Sequence, residues 1–483
     1  MDRAPARPSG TLDRVGFTFS VGAFCVAPIA VPALFILGIG VSVASLGGCG
    51  GDAPPRVSPT STAPFVIGVA QSLTGSQASP GLQVLKGARV AAFHVNSLGG
   101  VLGQRIELDE RDDRTEDEFA IQVADALIEK RVAAVLAPTS TKQGLAVLGK
   151  YSDAKILTAT ATATTKTLTS EGKYPFFFRT SASAAIQGSV FAKFVRGGDA
   201  DAGAAGALGC AKMALLWTDE ANGKELSTII TAEFQKRGGT VVAPKAIPQA
   251  EQDSYDDILE TTIEANAANL DCIAITGQEL PFRKLLQNYQ ALTKRSKATD
   301  WTRIRIFATQ AFFNPEFVKG SAIGVMENAA EGVSGISQDA APPGAESAAF
   351  RALYETLNPT PAGAKATAPP RNSATAYDAV VMMALAIQKA GGTKDRDALR
   401  AAVTAISGGE GGTPVTPANL AEGFRILRDN RPINYRGATG SCDLDKNGDV
   451  KKVGFIVWSV QGGALSDALA AARISEDEVD AQP

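Results

Sequence analysis

The stretch FVIGVAQSLTG at residues 65–75, continued by KGARVAAFHVNSLGGVLGQRIELDERDD at residues 86–113, decides the fold. Residues 65–70 are apolar and rich in β-branched side chains, which predicts a short buried strand. Apolar residues at helical spacing predict a helix over 81–96, and a second strand is predicted over 105–110. Between them Asn96 can end the helix, and the glycines that follow permit the positive φ angles of a reversing turn. The stretch therefore predicts a strand–helix–strand unit.

The same alternation continues along the chain in two series. The first series has helices at 116–130 and 141–151 and strands at 132–136 and 155–158. After a link rich in glycine and alanine at 197–209, the second series has strands at 212–217, 240–242, 271–276 and 303–308. Its helices are one that ends at 237, one near 254–266 and one near 281–292. Two further helices are predicted at 345–357 and 373–391. Alternating strands and helices predict parallel sheets covered on both faces, so we expect an α/β protein with two doubly wound lobes.

Composition limits the classes of function that need to be considered. The chain has 483 residues, of which 45% are hydrophobic and 20% charged, and this is typical of a globular protein with two or three domains. The net charge is -3 and charged runs are short, so no nucleic-acid partner is expected. Five cysteines are too few for a scaffold built on disulfides, and no cysteine or histidine cluster has zinc spacing. Neither a metal nor a cofactor is predicted.

The N-terminal segment carries a different pattern from the rest of the chain. Arg3, Arg7 and Arg14 precede a run from Val15 to Gly51 that has no charged residue. A basic start and an apolar middle are typical of a signal peptide. A membrane-spanning helix is the alternative, because about 20 apolar residues suffice to cross a bilayer. Prolines within the run disfavour one straight helix.

The end of this run, Leu46-Gly47-Gly48-Cys49, resembles a bacterial lipobox. In proteins with that motif the cysteine sulfur is lipidated and becomes the new N-terminus. We therefore predict a signal peptide at 1–48, lipidation at Cys49 and a flexible tether at 49–63, which is rich in Gly, Pro, Ser and Thr. A chance LGGC inside an uncleaved anchor is the alternative, and both interpretations place the body outside the cytoplasmic membrane.

Six segments, in order along the chain, resemble the periplasmic leucine/isoleucine/valine-binding protein family. The first is the stretch at 65–113 quoted above. The others are VAAVLAPTST (132–141), LTSEGKYPFFFRT (168–180), EGVSGIS (331–337), SATAYDAV (373–380) and YRGATGSCDLDKNGD (435–449). The resemblance extends over about residues 64–460.

The resemblance implies a two-lobe clamp of the Venus-flytrap type whose chain crosses between the lobes three times, near Thr180, Gly335 and Tyr435. Lobe 1 would comprise 64–180 and 336–430, lobe 2 would comprise 181–335 and 431–475, and 476–483 would form a tail. The ligand would bind between the lobes, at the carboxyl ends of the parallel strands, and closure around the hinge would bury it.

Four hydroxyl residues form the candidate carboxylate site. Ser140 and Thr141 lie between a strand and the next helix, where their hydroxyls and the free N–H groups of the helix start suit a carboxylate. Simple capping of that helix is the alternative, but in the family this loop holds the ligand carboxylate. Thr162 and Thr164, in TATATATTKTLT (158–169), match the family's second binding loop. Without the resemblance this stretch would be interpreted as a strand edge or a low-complexity loop.

Three positions depart from the family pattern for branched-chain amino acids. Asn222 and Gln278 stand where tyrosines are common. Gln310 stands where an acidic residue is expected to pair with the ligand's ammonium group, and an amide is a weaker partner for a cation. Either Asp219 or Glu279 takes that role, or the ligand lacks an ammonium group. The resemblance thus implies a clamp for a carboxylate-bearing ligand, without showing that the ligand is an aliphatic amino acid.

Three motifs of other classes are rejected. GLAVLGKY (144–151) fits G-x-x-x-x-G-K, but Tyr151 replaces the Ser or Thr that a phosphate-binding loop needs for magnesium. DLDKNGD (443–449) resembles the first half of a calcium loop, but Gly454 occupies the twelfth position, so a strand–turn–strand is predicted. His94 is the single histidine and lies in a helix without a nearby nucleophile. No catalytic residue and no enzyme activity are predicted.

These observations predict an extracytoplasmic solute-binding lipoprotein of an ABC importer. It would capture a small ligand with a carboxylate, an amino acid or a related compound, and present it to the transporter permease. We expect a monomer, held by its lipid anchor at the periplasmic or cell-surface face of a bacterial membrane. A ligand-sensing receptor module that uses the same clamp without a transporter is the alternative.

Removal of the signal peptide would take away Cys25, and Cys49 would be lipidated. Three cysteines would then remain in the processed protein. Cys210 lies just before the first strand of the second series, and Cys272 begins the third. In a doubly wound sheet these strands are parallel neighbours about 4.8 Å apart, which is compatible with a disulfide. A Cys210–Cys272 bridge and two buried thiols are both open at this stage. Cys442 is expected to stay outside any disulfide.

Overall fold

The computed structural model describes residues 63–197, 209–296, 300–323, 327–339, 342, 344–360, 369–408, 411–466 and 473–474. The predicted signal peptide, the predicted lipidation site Cys49 and the predicted tail lie outside the described residues. Within the ranges given above, no helix combines the length and the apolar character needed to cross a membrane.

The first sheet has five parallel strands in the order β2-β1-β3-β4-β5. They are β1 (Phe65–Gln71), β2 (Ile106–Asp112), β3 (Ala134–Leu136), β4 (Leu157–Thr160) and β5 (Phe177–Arg179). The helices that connect them are α1 (Ala78–Ser97), α2 (Asp117–Glu129) and α3 (Thr141–Asp153). Strands β3, β4 and β5 are buried along their whole length, because helices cover both faces of a doubly wound sheet.

The second sheet has the order β17-β16-β12-β9-β8-β6-β7 on its main path, and β18 pairs with β16. Its strands are β6 (Lys212–Thr218), β7 (Thr240–Ile247), β8 (Cys272–Thr276), β9 (Arg305–Ala308), β12 (Ser334–Gln338), β16 (Phe455–Gln461), β17 (Ala464–Ser466) and β18 (Arg473–Ile474). Strands β7, β6, β8, β9 and β12 are parallel, whereas β16 is antiparallel to β12. Its helices are α4 (Ala184–Arg196), α5 (Ala221–Lys236), α6 (Asp256–Ile258), α7 (Leu280–Arg295) and α8 (Pro315–Gly320).

Two small sheets and four more helices complete the described chain. The strands are β10 (Ala322–Ile323), β11 (Glu327–Asn328), β13 (Thr413–Val415), β14 (Ile433–Gly437) and β15 (Gly440–Ser441). The helices are α9 (Ala345–Leu357), α10 (Arg371–Ala390), α11 (Arg396–Ile406) and α12 (Leu420–Arg428). Helix α10 is buried along almost its whole length between α1, α11, α12 and the first sheet. Helices α1 and α10 approach closely because residue 87 is glycine: a Cβ there would lie 2.1 Å from the Ser373 carbonyl oxygen.

The helix predicted near 254–266 is confirmed as a helical segment, but it is not a regular α-helix. The segment is the short helix α6 followed by a π-helical turn at Leu259–Ile263 and a 3-10 stretch at Glu264–Asn269. The Thr261 hydroxyl donates to the Asp257 carbonyl oxygen, and the Asn266 amide donates to the Thr262 carbonyl oxygen. Such side chains compete with main-chain amides for the same acceptors, which disfavours a regular α-helix.

The predicted crossing points lie in three different settings. Thr180 directly follows β5, and Tyr435 lies within β14. Gly335 lies within β12, all of which pairs with β16 in the second sheet, from Ser334 to Gln338. The predicted boundary at 335–336 thus falls inside one strand, and the division into lobes stays a prediction.

The open question about the cysteines has a definite outcome. Met213 of β6 is paired with Cys272 of β8, which places Cys210 beside the start of β8. Cys210 and Cys272 form a disulfide with a Cα–Cα distance of 5.9 Å. The bridge, and not the alternative of two buried thiols, is therefore confirmed. Cys442 keeps its thiol and is buried.

Candidate functional site

The carboxyl ends of β3 and β4 bring the four predicted hydroxyl residues to one edge of the first sheet. Ser140 is the N-cap of α3, and its hydroxyl accepts a hydrogen bond from the Gln143 amide at 3.4 Å. Ser140 also contacts the Gln143 side chain, and Thr141 begins the helix and is buried. Ser140 thus serves as a helix cap, and its role toward a ligand carboxylate stays a prediction.

The loops after β3 and β4 are joined to each other by hydrogen bonds. The Thr162 hydroxyl donates to the Thr139 carbonyl oxygen at 2.6 Å. The Thr160 hydroxyl donates to the Pro138 carbonyl oxygen at 2.7 Å and accepts from the Thr162 amide at 3.2 Å. The two predicted binding loops therefore form one rigid edge.

Thr139 was missed by the sequence prediction, although it lies between the strand and the predicted residues. Its hydroxyl donates to Gln71 Oε1 and accepts from the Ser72 amide, both at 2.8 Å. Because Ser72 follows β1, these bonds extend the edge to a third neighbouring strand. The local signal was its position after a buried strand, which Thr139 shares with Ser140.

The carboxyl ends of β6, β8 and β9 position the other three predicted residues. Asn222 lies in the first turn of α5, where the Glu220 carboxylate caps the helix by accepting from the amides of Asn222 at 2.8 Å and Gly223 at 2.6 Å. The Gln278 side chain accepts from Gln249 at 3.2 Å. Gln310 is 6% exposed, and its Oε1 atom is buried without a hydrogen-bond partner in the described part of the chain.

The two edges contact each other. The Thr164 hydroxyl donates to Asn222 Oδ1 at 2.8 Å. One turn further along α5, Glu225 Oε1 accepts from the Lys166 amide at 2.8 Å. The structure therefore brings together one predicted residue from each sheet, and these contacts lie where the carboxyl ends of both sheets meet.

The two acidic residues proposed to replace a missing ammonium partner are both engaged elsewhere. Asp219 forms an ion pair with Lys224 at 2.7 Å. Glu279 accepts two hydrogen bonds from Arg283, at 2.7 and 2.8 Å, and one from Asn314 at 3.2 Å. Burial raises the pKa of Glu279, although Arg283 opposes that shift. Glu279 is therefore occupied by its partners, whereas Asp219 is in an exposed ion pair, with a side chain 51% exposed.

A buried ion pair behind the second binding loop was also missed. The Arg179 guanidinium donates to Asp449 at 2.5 and 3.0 Å and to the Thr165 carbonyl oxygen at 2.9 Å. It also donates to the Thr169 hydroxyl at 2.8 Å, so one fully buried side chain fixes the loop that carries Thr164. The sequence showed an arginine within a buried apolar segment, but did not show its partner, 270 residues away.

The segment that resembles a calcium loop forms the predicted turn, but a single isolated bridge takes the place of the two predicted flanking strands. Leu444 and Val450 form an antiparallel bridge around the turn, and the Asp445 carboxylate accepts from the amides of Asn447 and Asp449. Among the described residues, no group of three or more His, Cys, Asp or Glu side chains could hold a metal ion. His94 lies 2.7 Å from the Tyr377 hydroxyl, and burial lowers the pKa of its imidazole.

Comparison with known proteins gives three findings at the level of sequence and fold. Residues 83–463 match the family model described as the receptor family ligand binding region. The chain is 28% identical over 259 residues to an amino acid binding protein of Pseudomonas aeruginosa, and the match covers 53% of this chain and 66% of that relative. The leucine binding protein LivK of Thermotoga maritima has a TM-score of 0.67 at 21% identity, covering 86% of this chain and 99% of that structure.

A second solved structure has a different ligand. A solute binding protein of an ABC transporter from Rhodopseudomonas palustris, in complex with 3,4-dihydroxybenzoic acid, has a TM-score of 0.63 at 20% identity. The match covers 85% of this chain and 97% of that structure. At these identities the two structures establish a shared fold, the two-lobe α/β clamp.

Proposed function

The chain belongs to the family of receptor ligand-binding regions, and on that premise we propose that it is the solute-binding lipoprotein of an ABC importer. It captures a small ligand with a carboxylate between the two sheets, closes around a hinge and presents the ligand to the permease. We further propose that it acts as a monomer at the periplasmic or cell-surface face of a bacterial membrane, anchored through Cys49.

The contact between Thr164 and Asn222 is the observation that carries this proposal. It joins the carboxyl ends of two doubly wound sheets, which is where open α/β sheets bind ligands. A direct 2.8 Å hydrogen bond means that the two edges are within reach of one small molecule inserted beside it. Closure that buries such a molecule is a hinge motion of two domains.

The residues on the two edges suit opposite ends of the ligand. Ser140, Thr141, Thr162 and Thr164 would bind the carboxylate at the start of α3, whose dipole also favours an anion. The hydroxyls of Ser140, Thr162 and Thr164 would then exchange their present bonds within the protein for bonds to the ligand. On the other edge, Asn222, Gln278 and Gln310 supply neutral amides. The buried unpartnered Oε1 of Gln310 would accept a hydrogen bond from the ligand.

The solved relatives support the class of ligand. LivK of Thermotoga maritima is described as a leucine binding protein, and the Rhodopseudomonas palustris protein holds 3,4-dihydroxybenzoic acid. The two compounds share a carboxylate but only leucine has an ammonium group. We therefore propose an amino acid or a related acid as the ligand of this chain.

A thermal-shift panel of amino acids, amides, short peptides and aromatic acids on residues 52–483 tests ligand capture. A true ligand should stabilise the protein by about 2.7 kcal/mol at 100 times its Kd. The triple variant with alanine at Ser140, Thr141 and Thr164 should fold but lose this stabilisation. Thr228→Ala, on an exposed face of α5, is the matched control and should keep it. Equal stabilisation of the triple variant would place the site elsewhere.

Processing in cells tests the lipid anchor. Wild-type protein should fractionate with membranes, and Cys49→Ala should accumulate as a precursor of larger apparent mass. Cys25→Ala, in the same N-terminal segment, is the control and should be processed normally. If Cys49→Ala is processed and released like the wild type, the anchor at Cys49 is wrong.

Reconstituted transport tests the importer. Labelled ligand should enter vesicles only when this protein, a permease and its ATPase are present together with ATP. If the protein binds a ligand but supports no uptake with a transporter encoded beside it in the genome, the ligand-sensing receptor module is favoured.

A further inference from the structure

The first turn of α10 lies at the same edge as the predicted binding loops. The Thr375 hydroxyl is 3.0 Å from the Ala161 carbonyl oxygen, one residue before Thr162. The Asn372 amide donates to Gln83 Oε1 at 3.1 Å in α1, the helix that follows β1. Arg371, the first residue of α10, is therefore placed beside the loops that follow β1 and β4.

Arg371 carries a buried donor that the fold does not satisfy. The side chain as a whole is partly exposed, but its Nη1 atom is buried and has no hydrogen-bond partner among the described residues. The Oδ1 atom of the adjacent Asn372, which is 5% exposed, is also buried without a partner there. In the sequence, residues 361–370, which precede Arg371, include no acidic residue. Burial lowers the pKa of Arg371 to about 10.

Other buried arginines of this chain have partners. Arg179 is paired with Asp449, and Arg396 donates to the carbonyl oxygens of Ala133 at 2.8 Å and Val132 at 3.2 Å. Burial of an unpaired charge is costly, and proteins usually compensate it by pairing or hydrogen bonding. Arg371 differs because no described residue forms a hydrogen bond with its buried Nη1 atom.

We propose that Arg371 is an anion-binding residue of the cleft and that its partner is a carboxylate of the captured solute. This deepens the proposed function and rests on it. Arg371 begins a helix of 20 residues, and Pro370 at the N-cap supplies no side-chain acceptor to the first turn. The positive end of the helix dipole therefore adds to the charge of the guanidinium.

The charges around the cleft define the solute more narrowly than the hydroxyl residues do. Gln310 is neutral, and the carboxylates of Asp219 and Glu279 are paired with Lys224 and Arg283. Glu225, which contacts the Lys166 amide at the cleft, has a buried Oε2 atom without a partner among the described residues. The cleft therefore offers a solute one cation and one unsatisfied carboxylate oxygen. The preferred ligand therefore carries a carboxylate for Arg371, and an ammonium group on the same ligand is compatible with Glu225.

The first test needs no ligand. Arg371→Met removes the unpaired charge but keeps a flexible side chain, so the melting temperature of ligand-free protein, refolded from denaturant, should stay the same or rise. Arg396→Met is the matched control and should lower the melting temperature, because it removes hydrogen bonds to two carbonyl oxygens. A clear fall in the melting temperature of Arg371→Met would show a structural role and overturn the proposal.

The second test uses acetate as the probe, with chloride at equal ionic strength and neutral acetamide as controls. Acetate should stabilise the wild type more than chloride does, and Arg371→Gln should bind it about tenfold more weakly or worse. Arg371→Lys, which keeps the charge, should recover part of the affinity. Equal affinities of the wild type and Arg371→Gln, or no acetate effect on the wild type, would overturn the proposal.

The panel of solutes separates this inference from the proposed function. If solutes stabilise the wild type and Arg371→Gln equally, the clamp binds ligand without Arg371, and only the inference fails. If no solute of any charge stabilises the wild type, the proposed function itself fails. Selective loss of acidic solutes in Arg371→Gln, with neutral solutes unchanged, supports both.

Discussion

Two regions of the molecule, the predicted crossings and the predicted cleft, differ in the strength of their contacts. Near the predicted crossings, the fully buried Arg179 forms an ion pair with Asp449, whose side chain is 19% exposed. In the predicted cleft, Thr164 and Asn222 share a hydrogen bond between neutral groups, and the Glu225 carboxylate accepts one from the Lys166 amide. The crossing region thus has an ion pair formed by a fully buried arginine, whereas the contacts of the cleft are single hydrogen bonds, of which the neutral one is worth about 1 kcal/mol.

A second contact, made by the buried Gln338, also strengthens the crossing region. The Gln338 amide of β12 accepts from the Ala182 amide at 2.9 Å and donates to the Thr180 carbonyl oxygen at 3.2 Å. This ties the crossing after β5 to a strand of the second sheet. A firmly held crossing and a weak cleft contact are what a hinge needs, because opening should break few bonds while leaving the pivot intact.

The largest expected effect is at Asp449. Asp449→Ala leaves the Arg179 guanidinium buried without its counter-ion, so we expect a loss of about 3 kcal/mol in the free energy of unfolding, measured by urea denaturation. Asp429→Ala is the control, because its ion pair with Arg425 is exposed and contributes about 0–1 kcal/mol. Similar losses in the two variants would contradict the contrast between the two regions.

A smaller, pH-dependent effect is expected at Asp378. Burial raises the pKa of this carboxyl to about 6, although hydrogen bonds from Tyr435, Ala438 and Thr439 oppose the shift. Since an unfolded aspartate titrates near ~3.9, the folded state binds the proton more tightly, and the contribution of Asp378 to stability becomes more favourable as the pH falls through about 6.

Relative to Asp378→Asn, which cannot titrate, the wild type should therefore gain about 2 kcal/mol of unfolding free energy between pH 7 and pH 4. Urea titrations of both proteins across that range measure the gain. Parallel pH profiles would mean that the Asp378 carboxyl titrates at its ordinary pKa.

The smallest effect is expected at the cleft contact. Thr164→Val and Asn222→Ala each remove the same neutral hydrogen bond, so each should lower the unfolding free energy by about 1 kcal/mol or less. A double-mutant cycle should give a coupling energy of about 0.5–1 kcal/mol. A coupling energy comparable to the loss at Asp449 would mean that the cleft is held as firmly as the crossings.

Local patterns in the sequence were sufficient for much of the secondary structure. Strands β1, β6 and β8 and helices α1, α9 and α10 lie within a few residues of their predicted ranges. Each depends on apolar periodicity over short windows, which needs no knowledge of the rest of the chain. Helix α4 was not predicted, although Ser183 caps it by accepting from the Ile186 amide at 3.3 Å. The capping residue was a local signal that went unused.

The placement of the candidate site was predictable to the level of a sheet edge. Ser140, Thr141, Thr162 and Thr164 follow β3 and β4, as their positions after predicted strands indicated, because parallel strands end at a common edge. The family resemblance then indicated which hydroxyls to select. It did not indicate that Thr164 would contact Asn222, since that distance depends on how far the two sheets have closed.

Contacts between residues far apart in the chain were beyond any local pattern. Cys210 and Cys272 could be bridged or free until the register of β6 against β8 was known. Arg179 meets Asp449 only because the chain returns to β5 after passing through the rest of the fold. The exposure and pairing of a charge, including the unpaired state of Arg371, depend on which distant segments surround it. Composition and periodicity carry local conformational preferences, whereas register, pairing and burial arise from the packing of the whole chain.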